Sequence, residues 1–266
     1  DQLTLSTLYA YSEHYILTLG NRDVGSLNEF MAKLPGDEKQ KLAQVREAYS
    51  YMMVHPGCKM MAPGTDMPEG LAKCIQALNT LYKSSPALYQ MDDEYDGFEW
   101  VQLMKYEENV ITFLRKTEKP EETLLVICNF AAIPYENYQV GVPFAGKYKE
   151  IFNSDAVEFG GGGVVNSRVK TAKAEECDER EYSIKVKLPA LGVSIYSCTP
   201  GKAPARKKVT AAKTAKDKTA KDKTAGKLVR TVKAKTPAKK SVKEEKATKA
   251  EEAVKAEKKA ETVKKR

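Results

Sequence analysis

An α+β protein is predicted, in three stretches of unlike character. Residues 1–90 alternate short apolar runs with helical periodicity, and residues 91–200 switch to period two with turn residues between the runs. Residues 201–266 hold no Phe, Tyr or Trp. Apolar side chains 3.6 residues apart mark helices and side chains two apart mark strands, so the switch near Pro86 is a change of architecture. The net charge of +8 hides the same division, being −8 over residues 1–200 and +16 over residues 201–266. The first stretches can bury a core. The last has too few large apolar side chains to offset the entropy of ordering, and is predicted to be a disordered tail rich in Lys, Ala and Thr.

Taken in order, residues 2–13 read as the end of a helix, and His14-Tyr-Ile-Leu-Thr-Leu19 as a short buried strand. A loop spans Gly20 to Gly25. Pro35-Gly36-Asp37 opens a helix with Asp37 as N-cap. Leu42, Val45, Ala48, Tyr49, Met52 and Met53 carry that helix to the stop at His55-Pro56-Gly57. Cys58 to Ala62 is a second apolar strand. Leu71, Cys74, Ile75, Leu78 and Leu81 then mark a helix over 69–84, ended by Pro86. Strand, helix, strand, helix is the unit of a parallel α/β structure.

Beyond it, strands are predicted at 98–105, 109–116, 123–130, 147–152, 182–187 and 192–198. Phe98, Trp100, Phe113, Val126 and Cys128 are expected to point inward. Gly160 to Gly163 is expected to be a flexible loop. It lacks the Lys-Ser/Thr and the strand-to-helix context of a phosphate cradle.

Several function classes are disfavoured at this level. The five cysteines (Cys58, Cys74, Cys128, Cys177, Cys198) form no CxxC pair, a usage that suits reduced thiols of a cytoplasmic protein. His14 and His55 have no second His or Cys at ligand spacing, so no metal or other cofactor is expected. His55 stands at a helix C-terminus, where a cation suits the dipole. No run reaches the roughly 20 apolar residues of a membrane helix, and no signal-type segment opens the chain. The first residue is Asp1 and the first methionine is Met31, so a fragment of a longer reading frame is expected.

The order of short motifs closely resembles the C-terminal part of the 1,4-α-glucan (glycogen) branching enzymes of the α-amylase superfamily. The run Ala77-Leu-Asn-Thr-Leu-Tyr-Lys-Ser-Ser-Pro-Ala-Leu-Tyr89 is followed by Gly97-Phe-Glu-Trp100, by Asn109-Val-Ile-Thr-Phe-Leu-Arg-Lys116 and by Leu124-Leu-Val-Ile-Cys-Asn-Phe130. Tyr51-Met-Met-Val-His-Pro-Gly57, Lys59-Met-Met-Ala-Pro-Gly-Thr-Asp66 and Leu188-Pro-Ala-Leu-Gly192 fall in the same order. The resemblance runs from about Leu3 to Cys198. It implies the last two βα units of an incomplete (β/α)8 barrel over 1–90, an antiparallel C-terminal β-sandwich over 91–200, and an added tail over 201–266.

The resemblance also implies an activity, transfer of an α-1,4-glucan segment to a 6-hydroxyl in glycogen biosynthesis, by a retaining two-carboxylate route. The nucleophilic Asp and the acid/base Glu of the family come from barrel strands four and five, upstream of everything matched here. A third acidic group follows strand seven in a Ser-His-Asp-Glu-Val motif. Here that run is Gly20-Asn21-Arg22-Asp23-Val24, with Asn21 at the His position and Arg22, or Asp23 after a one-residue slip, at the carboxylate position. Arg22 and Asp23 read first as a plain loop ion pair, ahead of any retained catalytic role. The expectation is a catalytically incomplete fragment or remnant.

Two alternatives stand beside it. One is a non-catalytic α-glucan-binding or scaffold module, with Tyr135, Tyr138 and Tyr148 in loop-like segments as sugar-stacking candidates. The other is a polyanion- or nucleic-acid-binding protein acting through its tail, with Lys207, Lys208, Lys239 and Lys240 as contacts made by counterion release.

Overall fold

The computed structural model describes residues 16–19, 27–61, 67–102 and 106–202. Strand β1 (Ile16–Leu17) pairs in parallel with β2 (Cys58–Lys59), Ile16 opposite Cys58. Between them lie a short helix α1 (Leu27–Ala32), which the sequence reading did not place, and α2 (Glu38–Val54). Helix α3 (Glu69–Ser84) follows β2.

Asp37 caps α2 as predicted. Its carboxylate accepts from Gln40 N at 2.8 Å, and the Gln40 side chain returns the bond to Asp37 N at 3.1 Å, a reciprocal box that satisfies two orphan donors. The helix ends where His55 turns extended before Pro56. Helix α3 buries Leu71, Cys74 and Leu78 on one stripe and ends at Ser85, before Pro86.

The rest is antiparallel β-structure. Strands β3 (Phe98–Gln102), β4 (Val110–Arg115), β5 (Leu124–Asn129), β7 (Gly146–Asn153), β8 (Lys170–Thr171) and β10 (Gly192–Pro200) form one sheet, in the order β3-β4-β5-β10-β7-β8. Strands β6 (Tyr135–Val142) and β9 (Tyr182–Leu188) form a second, two-stranded sheet. Every residue of β5 is buried, which requires that both faces of the large sheet be covered.

Each face has its own cover. Leu124, Val126 and Cys128 point into a core shared with Met53 and Val54 of α2, Cys74 and Leu78 of α3, and Phe98, Phe113 and Ile195 of the sheet. Leu125 and Ile127 point the other way, against Val140, Val142, Ile184 and Val186 of the small sheet. Phe98, Phe113, Val126 and Cys128 are buried as predicted, and Trp100 packs partly buried on the same core. In β7 the pairing with β10 skips Ile151, which lets Tyr148 and Phe152, four residues apart, face opposite cores.

Two expectations are corrected. Strand β6 is absent from the sequence reading because a register shift between Tyr135 and Tyr138 breaks its period-two pattern. The glycine run is no slack loop. Gly162 N donates to Asp155 Oδ1 at 2.6 Å, Val164 N to Oδ2 at 3.0 Å, and Gly163 N to the Asp155 carbonyl at 2.8 Å. The carboxylate organises the segment as an anion organises a ring of backbone N–H groups. At Gly161 a Cβ would meet the Asp155 carbonyl oxygen at 2.2 Å, so glycine is needed there for close approach.

Candidate functional site

Asn21, Arg22, Asp23 and Asp66 lie outside the described residues, as do Lys207, Lys208, Lys239 and Lys240. Of the three tyrosines singled out for sugar stacking, the fold brings two together and removes the third. Tyr148 is fully buried. Its ring stacks on Phe144 with centroids 6.1 Å apart, and its hydroxyl donates to the Phe144 carbonyl at 2.7 Å. Alternation along Gly146-Lys-Tyr-Lys-Glu150 turns Tyr148 inward and the lysines outward, so it offers no ring face to a sugar.

Tyr135 and Tyr138 stand at the start of β6 with ring centroids 5.4 Å apart in a T-shaped pair. The register shift between them leaves two successive residues exposed, Glu136 and Asn137, where a regular strand would turn one of them inward. These four, with Glu108, Gln139 and Cys177, line a groove of about 330 Å³. Glu108 comes from the turn before β4, and its neighbour Asn109 sits in the left-handed region at φ 51°. The Tyr138 hydroxyl donates to Glu108 Oε2 at 2.8 Å, and burial followed by the Glu108 carboxylate raises its pKa, so it stays a donor. Glu136 pairs with Lys187 of β9 at 2.9 Å. Sequence reasoning found the tyrosines through their type. It missed Glu136 and Asn137, whose only signal is two polar residues between tyrosines, and Glu108 and Gln139, which carry no signal in the sequence.

A second polar cluster lies where α2 gives way to β2. Arg115, fully buried on β4, donates from Nη1 to the Val54 carbonyl at 2.8 Å and from Nη2 to Asp92. Asp92 also accepts from Gly57 N at 2.8 Å and pairs with Lys59 at 3.6 Å, while Lys59 lies 4.8 Å from the centroid of the Tyr82 ring. Burial lowers the Lys59 pKa to about 8 against the pull of Asp92. His55 is 2% exposed, and burial lowers its pKa to about 4. A neutral imidazole with Nδ1 2.8 Å from the Pro56 carbonyl replaces the expected dipole-facing cation, because desolvation outweighs the helix end. This cluster locks the helices to the β-structure.

The sequence is similar to those of known proteins. Residues 100–199 match the alpha amylase C-terminal all-beta domain. The chain is 36% identical over 218 residues to the 1,4-alpha-glucan branching enzyme GlgB of Oceanobacillus iheyensis, an alignment covering 74% of this chain and 34% of that enzyme. It is 33% identical over 217 residues to the enzyme of the same name from Geobacillus stearothermophilus, covering 73% of this chain and 34% of that enzyme. For the Synechococcus elongatus enzyme the identity is 34% over 224 residues, covering 76% of this chain and 29% of that enzyme. The chain thus spans about a third of the length of the curated relatives it matches. The resemblance read from the motifs holds.

Proposed function

We propose that this branching-enzyme-like chain is a catalytically incomplete part of an α-1,4-glucan segment transferase, unable alone to form α-1,6 branches. The observation that carries the reading is the alignment over 218 residues at 36% identity, which reaches only 34% of the relative. Residues 1–90 fit the last two βα units of a (β/α)8 barrel, since β1 and β2 pair in parallel as barrel strands do. Residues 91–200 supply the β domain and residues 201–266 the tail. The partner class is an α-glucan and the compartment the cytoplasm. Among the described residues no helix is long and apolar enough to cross a membrane.

The chemistry supports inactivity. Retaining transfer needs two carboxyl groups roughly 5 Å apart across the scissile bond. Within residues 1–266 the positions inherited from the transition-state motif read Asn21, Arg22 and Asp23. The test is to incubate the purified chain with amylose and measure new α-1,6 linkages after debranching. None are expected above a mock preparation, and branches abolished by Asp23→Asn would overturn the reading. A second reading, polyanion binding, rests on the +16 of residues 201–266.

A further inference from the structure

We propose that the groove beneath Tyr135 holds a neutral α-glucan segment of about two glucose units, with Tyr135 as the ring platform and Glu108, Glu136 and Asn137 as hydroxyl partners. The class of sugar rests on the branching-enzyme-like reading above, while the location rests on geometry. Two irregularities of the backbone converge there. On one wall the register shift of β6 puts Glu136 and Asn137 side by side in solvent. On the other, Asn109 holds a left-handed φ of 51° and turns the chain so that Glu108 lies over Tyr138. Bulges and left-handed non-glycine residues cost stability and recur where side chains are re-aimed for binding.

The chemistry of the lining selects the ligand. Tyr135 is half-buried, held by its T-shaped contact with Tyr138 and by a 3.4 Å approach of its hydroxyl to the Glu108 carbonyl. A ring fixed in that way offers an apolar face at little entropic cost, which suits the C–H face of a pyranose. Carboxylate and carboxamide groups beside it accept and donate hydrogen bonds to vicinal hydroxyls, and those to a carboxylate are the stronger. Among the described residues no Lys or Arg lines the groove, and Lys187 beside it is paired with Glu136. The Glu108 carboxylate beside the platform disfavours phosphorylated sugars and nucleic acid. A volume of about 330 Å³ sits at the lower end for small-molecule sites, which suits a short oligosaccharide segment and weak binding.

The experiment titrates the full chain with maltotetraose, following backbone amides by NMR, with cellotetraose as the β-linked control. Shifts confined to residues 108 and 135–139 are expected. Tyr135→Ala should weaken binding by about tenfold, through lost stacking together with lost groove shape. Asn137→Ala, an exposed substitution that leaves folding alone, should weaken it several-fold, and Tyr95→Ala, at an exposed tyrosine outside the groove, should change nothing. Maltotetraose binding insensitive to both groove variants would overturn the location and leave the glucan reading standing. No binding at tens of millimolar would overturn the groove itself, and the amylose assay would still decide the branching-enzyme reading.

Discussion

Glu47 gives the sharpest test of the helix–sheet interface. It lies on α2 at 3% exposure, and its Oε1 has no hydrogen-bond partner among the described residues. Burial alone raises its carboxyl from the ordinary 4.5 to about 9, and Cys128 of β5 faces it as an uncharged thiol whose own pKa burial raises. The sign follows from linkage. The folded pKa is above the unfolded one, so Glu47's contribution to stability is fully present below pH 4.5 and is lost as pH rises toward 9. At 1.36 kcal/mol per pH unit, the loss from pH 5 to pH 8 is about 4 kcal/mol in full, and about 2 if the helix relaxes to admit water. Glu47→Gln removes the titration while keeping the shape. Urea unfolding of both proteins at pH 5, 6, 7 and 8 is the assay. His55, which moves in the opposite sense by losing stability below pH 6.5, cancels in the difference. The variant should gain about 2–4 kcal/mol over the natural protein across that range. A difference that stays flat with pH would mean the carboxylate is already ionised in the folded protein, and the reasoning would fail.

Three further outcomes are expected. Asp92→Ala strands the buried Arg115 guanidinium and the Lys59 ammonium together, and should cost about 3–5 kcal/mol by urea unfolding, while Arg115→Met should cost less. Asp155→Ala removes the acceptor of Gly162 N and Val164 N, and should cost about 2 kcal/mol with faster amide exchange confined to residues 160–166. The full chain should bind duplex DNA through residues 201–266, with affinity falling by about 10³ or more between 50 and 200 mM salt if some six phosphates are neutralised, and a chain ending at Pro200 should not bind.

The two long helices α2 and α3 and most of the large sheet were legible in the sequence for simple reasons. Asp37, Pro56 and Pro86 punctuate the helices, and Leu124 to Asn129 is a continuous apolar run of the kind a strand buried on both faces requires. What failed was legible only through tertiary structure. Strand β6 was hidden because its bulge places Glu136 and Asn137 together and because Asn and Gly141 are poor strand formers. Gly141 is there for space, since a Cβ would meet the Cys177 carbonyl oxygen at 2.3 Å. Tyr148 was misread as a surface residue because a tyrosine with a hydroxyl partner four residues away packs as readily as phenylalanine. The groove was half legible, by residue type at Tyr135 and Tyr138 and not at all at Glu108, which arrives from 27 residues upstream of Tyr135.

The shared core bears on how such a chain stands on its own. Met53, Val54, Cys74 and Leu78 bury their apolar surface against Phe113, Val126, Cys128 and Ile195, so the two helices take their core from the β domain. Arg46 adds a bond from Nε to the Ser154 carbonyl at 3.0 Å, and Gly70 approaches the Phe159 carbonyl so closely that a Cβ would meet it at 2.6 Å. The edge formed by β1 and β2 is different in kind. There the parallel pair is two residues long, with Ile16 at 66% exposure and Met60 at 53% beside it. A two-stranded parallel pair has little stability of its own, and Lys59 of β2 is tied to Asp92 and lies over the Tyr82 ring of α3. It follows that cutting the chain at residue 90 would strip one face of the six-stranded sheet. A chain starting at Met91 should therefore aggregate or bind a hydrophobic dye that the full protein does not, and a soluble, dye-free monomer from that cut would show that the β domain needs no helical cover.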